Sequence, residues 1–89
     1  MNTFIYCRFN LFDLHQRIHL MTETGEAKTI AITTYEELSE VIPEMCKKYG
    51  ITKVNLFGPE QFTEEMVEQI HTNGINNYGI NNLEIEVMK

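Results

Sequence analysis

Long hydrophobic segments are missing from this 89-residue chain. Its apolar runs are far shorter than the roughly 20 residues that a helix needs to cross a bilayer. Residues 1–4, Met-Asn-Thr-Phe, lack the basic start and the apolar stretch of a secretory signal peptide. We therefore expect a cytoplasmic protein that does not interact with membranes.

Residues that commonly act as nucleophiles are also scarce. The chain has two cysteines, one serine and one aspartate. Cys7 and Cys46 lie on apolar stripes, so we expect two buried, inert thiols without a disulfide in a reducing compartment. Ser39 lies on a predicted helix, without the sharp turn that exposes a catalytic serine. These patterns predict a protein that is not an enzyme and that has no catalytic residue, cofactor or metal.

Basic residues are outnumbered, with 7 Lys and Arg against 13 Asp and Glu, and the net charge is −6. Such a field repels a phosphate backbone, so binding nucleic acid would require a local basic patch. Two predicted helices carry many of the acids. Solvated helix faces explain them most simply, and a surface for a basic protein partner is the functional alternative. These acids are Glu36, Glu37, Glu40, Glu44, Glu60, Glu64, Glu65 and Glu68.

The order of hydrophobic periods predicts one α+β domain over residues 1–89. Alternation or dense apolar content predicts strands over 3–10, 14–21, 27–33, 51–57 and 83–88. Helical spacing follows Thr34, where a capping box with Glu37 is expected, and Pro43 predicts a bend or break near Ile42. A second helix should begin near Pro59 and stop at Asn73-Gly74, before an Asn- and Gly-rich loop.

Right-handed crossovers leave few arrangements for this β-β-β-α-β-α-β order. They place the fourth strand beside the first and the fifth beside the fourth. We therefore expect a mixed sheet of order 3-2-1-4-5, in which the second strand is antiparallel to the others. Both helices should cover the same face, so the opposite face of the sheet should be bare.

The element order resembles the ribonuclease H-like fold along the whole chain. That family carries metal-binding acids on its first strand, on its first helix and at the end of its fourth strand. Here the first strand has no acid, the fourth strand ends in Phe57-Gly58, and Asp13 lies in a turn. The resemblance therefore implies the topology without the nuclease site.

Three short segments carry a more local resemblance: Tyr6-Cys7-Arg8-Phe9-Asn10, Asp13-Leu14-His15-Gln16 and Leu56-Phe57-Gly58. They resemble stretches of small uncharacterised proteins from bacteriophages and prophages of Gram-positive bacteria. The resemblance implies a small cytoplasmic accessory protein made during phage growth, and it implies no activity.

The bare sheet face is the predicted interaction site, because its strand parity combines aromatic and basic residues. We expect self-association, most simply as a homodimer. A hydrated face without a partner and a single-stranded nucleic-acid surface are the alternatives. His15 and His19 stand about 13 Å apart on a strand, too far to share a metal ion. The residues predicted on this face are Phe4, Tyr6, Arg8, His15, Arg17, His19, Met21, Lys53, Asn55 and Phe57.

Overall fold

The computed structural model describes residues 3–88 and contains five strands and two helices. A short 3-10 turn, Tyr35–Glu37, precedes the first helix. The elements are β1 (Phe4–Arg8), β2 (His15–Met21), β3 (Ala27–Thr34), α1 (Leu38–Tyr49), β4 (Lys53–Phe57), α2 (Glu64–Tyr78) and β5 (Glu84–Met88).

The strands form one mixed sheet of order β3-β2-β1-β4-β5. Strand β2 is antiparallel to both of its neighbours, whereas β4 is parallel to β1 and to β5. This arrangement confirms the predicted α+β architecture and its strand order. It follows from two crossover connections that run in the same direction across the sheet.

The core lies between one face of this sheet and the two helices, which pack against each other. Alternate residues of the strands point into it, as the two-residue period of a strand requires. The sheet contributes Ile5, Cys7, Ile18, Val54 and Leu56, and the helices contribute Leu38, Ile42, Met45, Cys46 and Ile70.

Helix α1 differs from its prediction at its start, and of the bend or break predicted near Ile42 the break is absent. The Thr34 side chain makes no capping hydrogen bond, so the predicted capping box is wrong. Instead, the Thr33 hydroxyl donates to Glu37 Oε2 at 3.2 Å. The helix runs without a break through Pro43. Proline has no amide proton for the carbonyl four residues earlier, and Asn73 Nδ2 donates to that carbonyl, Ser39 O, at 2.8 Å.

Helix α2 begins later and ends later than its sequence pattern predicts. Thr63 is its N-cap and accepts a hydrogen bond from the Met66 amide. The helix passes through the predicted stop at Asn73-Gly74 and ends at Gly79, whose φ of 68° is left-handed. Gly74 is buried inside the helix, and a Cβ at this position would lie 3.6 Å from Leu83. Gly74 therefore lies inside α2, beside the residue that precedes β5, rather than in a loop.

Strand β3 contains a register shift opposite Ile18 and His19. The extra residue is Ile30, because Ala31 pairs with Ile18 and Thr29 pairs with His19. Such a bulge reverses the parity of a strand. Strict alternation along the predicted strand 27–33 would put Ile30 and Ile32 on the same side, but Ile30 packs against the core and Ile32 is 60% exposed.

Candidate interface on the helix-free sheet face

The sheet face opposite the helices, which we call the open face, collects the residues that the sequence places there. Strand pairing aligns Phe4 with Met21, and Tyr6 with both His19 and Asn55. No helix or strand within residues 3–88 packs on this face. The full predicted set lies there by register and strand alternation: Phe4, Tyr6, Arg8, His15, Arg17, His19, Met21, Lys53, Asn55 and Phe57.

Tyr6 is the centre of a cluster of rings on the open face. Its ring stacks on His19, with centroids 4.8 Å apart and planes at 22°. Phe57 meets it edge-on at 5.9 Å, and Phe4 lies at 6.4 Å in a tilted arrangement. These are geometries that aromatic pairs prefer. The cluster is half-buried, so its members hold one another in place while part of each ring still contacts solvent.

Two arginines flank the ring cluster. The guanidinium of Arg8 lies 5.3 Å from the centre of the Phe57 ring, a cation–π contact. Arg17 forms an ion pair with Asp13 in the β1–β2 loop. The hydrogen bond from Arg17, together with that from the His15 amide, lowers the pKa of the Asp13 carboxyl. Arg17 thus joins the loop to the open face and keeps Asp13 ionised.

The two predicted histidines have different surroundings. His15 is exposed, whereas His19 is half-buried beneath Tyr6, and its Nδ1 lies 3.1 Å from Thr29 Oγ1. Burial, followed by the nearby positive charge of Arg17, lowers the pKa of His19. Within residues 3–88, no group of three or more His, Cys, Asp or Glu side chains could hold a metal ion.

Asn55 lies on the open face between Tyr6 and Glu86, its partners on the neighbouring strands. Asn55 is only 8% exposed. In the described part of the chain its buried Oδ1 accepts no hydrogen bond. A buried acceptor without a donor is unfavourable by about 1–3 kcal/mol. The centre of this face therefore carries an acceptor that residues 3–88 do not satisfy.

The open face also carries residues that the sequence prediction omitted. Glu84 pairs with Lys53 and Glu86 with Asn55, which places two exposed acids along the β5 edge. Thr29 and Ile32 join the face because the β3 bulge changes the parity. The alternation of residues 83–88 would have been enough to place Glu84 and Glu86 on this face. The bulge has no comparable signal in the sequence.

The β1–β2 loop presents a second exposed apolar group at the end of the sheet. Leu11, Phe12 and Leu14 are 75%, 95% and 87% exposed. The side chain of buried Gln16 pins the loop: its Oε1 accepts from the Asn10 amide at 3.1 Å, and its Nε2 donates to the Asp13 carbonyl at 3.0 Å. The second strand was predicted to begin at residue 14, but β2 begins at His15, and Leu14 lies in the exposed loop.

The predicted acidic surface lies on the other side of the molecule. All eight helix-layer glutamates are exposed. The open face, in contrast, carries the positive charges of Arg8, Arg17 and Lys53 against the negative charges of Glu84 and Glu86. The two broad sides of the protein therefore differ in sign, although the chain as a whole is acidic.

The two thiols are free, and both lie in the core. Burial raises the pKa of Cys7 and that of Cys46 to about 12. At neutral pH both are therefore protonated, and a thiol in this state is a poor nucleophile.

Another cleft lies outside the carboxyl ends of β1 and β4, where α/β proteins often bind ligands. Its lining includes Phe9, Tyr35, Glu36 and Glu60. The Tyr35 hydroxyl donates a hydrogen bond to the Gln61 carbonyl. This bond anchors the tyrosine to the segment between β4 and α2. Burial, with the nearby Glu36 charge, raises the Tyr35 pKa. The cleft is thus lined by a structural tyrosine and by the carboxylates of Asp13, Glu36 and Glu60.

Comparison of the chain with protein-family models found no match, and neither did comparison with curated proteins. Within residues 3–88, neither helix is long and apolar enough to cross a membrane. The open face and its residues therefore provide the grounds for a functional assignment.

Proposed function

We propose that this protein is a non-enzymatic interaction module that self-associates as a homodimer through its open face. The observation that carries the proposal is the ring cluster around Tyr6 on a sheet face that no element within residues 3–88 covers. Aromatic residues and arginine are the types enriched at the energetic centres of protein interfaces. The open face places both types together.

A second copy fits this face better than a partner of one charge does. The face carries bases on β1, β2 and β4, and acids on β5. Two copies can therefore satisfy each other's charges, whereas a uniformly basic or acidic partner would meet repulsion somewhere. The molecule extends 32 × 31 × 22 Å, so a broad side can supply the roughly 800 Å² per partner of a standard interface.

The geometry also lowers the entropic cost of association. The rings of Tyr6, His19 and Phe57 already contact one another, so few rotamers remain to be frozen when a partner binds. Ordering a flexible side chain at an interface costs about 0.5–1.5 kcal/mol. A pre-ordered cluster avoids much of that cost.

Sedimentation velocity across micromolar concentrations tests the proposal directly. We expect a concentration-dependent dimer for the wild-type protein. The double variant Tyr6→Ala, Arg17→Ala should raise the dissociation constant by roughly 30-fold or more, because interface hot spots each contribute about 2 kcal/mol or more.

The matched control removes an aromatic and a base from the helix layer. Lys48 Nζ lies 5.7 Å from the centre of the Tyr49 ring, so Lys48→Ala, Tyr49→Ala deletes the same kinds of groups away from the open face. Far-UV circular dichroism checks that each variant folds. A strictly monomeric wild-type protein would refute the proposal, and equal effects of the two double variants would show that another surface associates.

Single-stranded nucleic acid is the second candidate, favoured by the Arg8–Phe57 contact. Aromatic rings beside arginines can stack bases and neutralise phosphates. Fluorescence anisotropy with a labelled single-stranded RNA at 50 and 200 mM salt tests it. Binding that weakens steeply with salt supports this function. The overall charge of −6 favours no binding at 50 mM salt. That result, or an affinity that does not change with salt, would eliminate the nucleic-acid function.

The cellular role that we propose is that of a small cytoplasmic accessory protein. It rests on the resemblance of three short segments to phage and prophage proteins. The exposed helix-layer glutamates offer an additional surface for a basic protein partner. That surface would stay accessible in the proposed dimer, because it lies opposite the open face.

A further inference from the structure

Strand β5 leaves one edge of the sheet unpaired. It is the outermost strand beside β4, and no strand within residues 3–88 lies beyond it. The Glu84 amide donates to the Thr52 carbonyl at 2.7 Å, so it points towards β4. Because the peptide groups of successive residues point to opposite sides of a strand, those of Ile85 and Val87 lie at the unpaired edge. An edge of this kind is a template for pairing with another chain.

An apolar groove, which we call the β5 groove, lies between β5 and helix α2. Phe62 is buried there, whereas Val67 of α2 and Val87 of β5 are half-buried and keep part of their surface exposed. The groove has a volume of about 560 Å³, which is within the range of ordinary ligand sites. Its lining consists of Pro59, Phe62, Glu64, Val67, Glu68 and Val87.

Carboxylates flank the unpaired edge on both sides of the sheet. Glu64 and Glu68 line the β5 groove on the helix side, and Glu84 and Glu86 lie on the open face. In the described part of the chain none of these four side chains forms an ion pair. Residues 54–88 contain no lysine or arginine. The unpaired edge is therefore surrounded mainly by negative charge.

A basic protein segment suits this edge better than the other kinds of partner do. Lys53 lies opposite Glu84 on β4 and offsets only part of the negative charge. The phosphates of nucleic acids and of anionic lipids would be repelled. A second copy could add its own edge strand β3, but the only charged residue of that strand is Lys28. Lysines and arginines of a basic segment, in contrast, match the carboxylates.

We propose that the unpaired edge of β5 binds an extended segment of a basic protein as an additional strand of the sheet. In this segment basic and apolar residues alternate. Its apolar side chains lie opposite Ile85 and Val87, on the helix side of the sheet where the β5 groove is. Its basic side chains lie opposite Glu84 and Glu86, because residues opposite each other on neighbouring strands project to the same side.

This mode of binding combines two sources of recognition. Hydrogen bonds between main chains contribute affinity, and the side chains that alternate between the two faces contribute specificity. The inference does not depend on the proposed self-association, since it uses the edge of the sheet rather than the centre of the open face.

A nine-residue peptide that alternates lysine and valine tests the proposal. Fluorescence anisotropy of the labelled peptide at 150 mM salt measures its dissociation constant, and we expect saturable binding to the wild-type protein. A block peptide, in which five lysines precede four valines, should bind at least tenfold more weakly. It has the same composition but cannot place the two residue types on opposite sides of a strand. A peptide that alternates glutamate and valine should not bind.

Amide hydrogen exchange identifies the strand that receives the peptide. At saturating peptide the amides of Ile85 and Val87 should exchange at least tenfold more slowly, because pairing protects them. The Glu84 amide, already bonded to the Thr52 carbonyl, is the control in the same strand and should change by a smaller factor. Unchanged exchange of Ile85 and Val87 in the saturated complex would overturn the proposal.

Charge reversal on α2 tests the β5 groove without altering the open face. The variant Glu64→Lys, Glu68→Lys should raise the dissociation constant of the alternating peptide at least fivefold, because two attractive charges become repulsive. The matched control is Glu40→Lys, Glu44→Lys on α1. Both pairs are exposed, begin in the first turn of a helix and have the same spacing. The control should stay within about twofold of the wild-type value.

The outcomes separate this proposal from that of the dimer. A wild-type protein that does not bind the alternating peptide removes the β5 proposal and leaves self-association to sedimentation. Equal binding of the alternating and block peptides shows attraction without strand addition, and equal effects of the two lysine variants show a different binding site. Either result overturns the proposal. If Glu64→Lys, Glu68→Lys loses its fold by circular dichroism, Glu64→Gln, Glu68→Gln replaces it. Weaker peptide binding by that variant supports the groove, and unchanged binding overturns it.

Discussion

The hydrogen bond between Asn73 and the Ser39 carbonyl should be one of the most sensitive contacts between the helices. Pro43 has no amide proton, so it cannot complete the α1 hydrogen bond to Ser39 O. Asn73 Nδ2 of α2 occupies that place at 2.8 Å. Ser39 is only 7% exposed, so water has little access to its carbonyl. The contact therefore repairs α1 and also joins it to α2.

Replacing Asn73 with alanine should lower the free energy of unfolding by about 1–3 kcal/mol, because it leaves a buried carbonyl without a donor. For a domain of this length, each 1 kcal/mol shifts the Tm by roughly 4–8 °C. Asn76→Ala is the matched control, since Asn76 is an exposed asparagine of the same helix. Its effect should stay within about 0.5 kcal/mol. Urea unfolding followed by far-UV circular dichroism measures both values.

A double-mutant cycle with Pro43→Ala isolates the mechanism. Alanine at position 43 supplies an amide proton to the Ser39 carbonyl, so Asn73 is no longer needed as a donor. The loss of stability caused by Asn73→Ala should therefore be smaller in the Pro43→Ala background by about 1 kcal/mol, a coupling of ordinary size for residues in contact. Pro43 is fully buried, and the cycle cancels the packing effect of its replacement. Equal effects of Asn73→Ala in both backgrounds would refute this explanation.

Two further predictions concern single positions. Gly74→Ala should stabilise the protein by about 0.5–1 kcal/mol, since its Cβ would meet Leu83 at an ordinary 3.6 Å within a helix. Gly79→Ala should destabilise it, because its φ is 68°. A urea midpoint for Gly74→Ala below that of the wild-type protein would contradict the predicted stabilisation. Cys7 and Cys46, whose pKa values are raised to about 12, should resist a thiol reagent at pH 8 and both react in urea. Rapid labelling of the folded protein would contradict their burial.

The helix boundaries show where sequence reasoning reached its limit. Helical spacing predicted both helices, but Asn73-Gly74 looked like a stop because asparagine and glycine usually end helices. In the structure Gly74 lies against Leu83, and Asn73 serves the other helix. Both roles depend on partners that are distant along the chain, which local periodicity does not describe.

The candidate interface was predictable to a greater extent. Strand alternation placed Phe4, Tyr6 and Arg17 on the open face, because the two-residue period depends only on neighbouring residues. The predicted set of open-face residues lacked Ile32, because the β3 bulge is set by pairing with β2 rather than by the β3 sequence. Continuing the same alternation along β5 would also have placed Glu84 and Glu86 on this face.

The sequence alone determined the number, type and order of the strands and helices, because these properties arise from side-chain spacing within a segment. Right-handed connectivity then led to the sheet order. Only the tertiary structure decided how α1 continues through Pro43, since its substitute donor is 34 residues away. It also decided which open-face side chains touch and which acceptor lacks a donor, because such contacts depend on neighbouring strands in three dimensions.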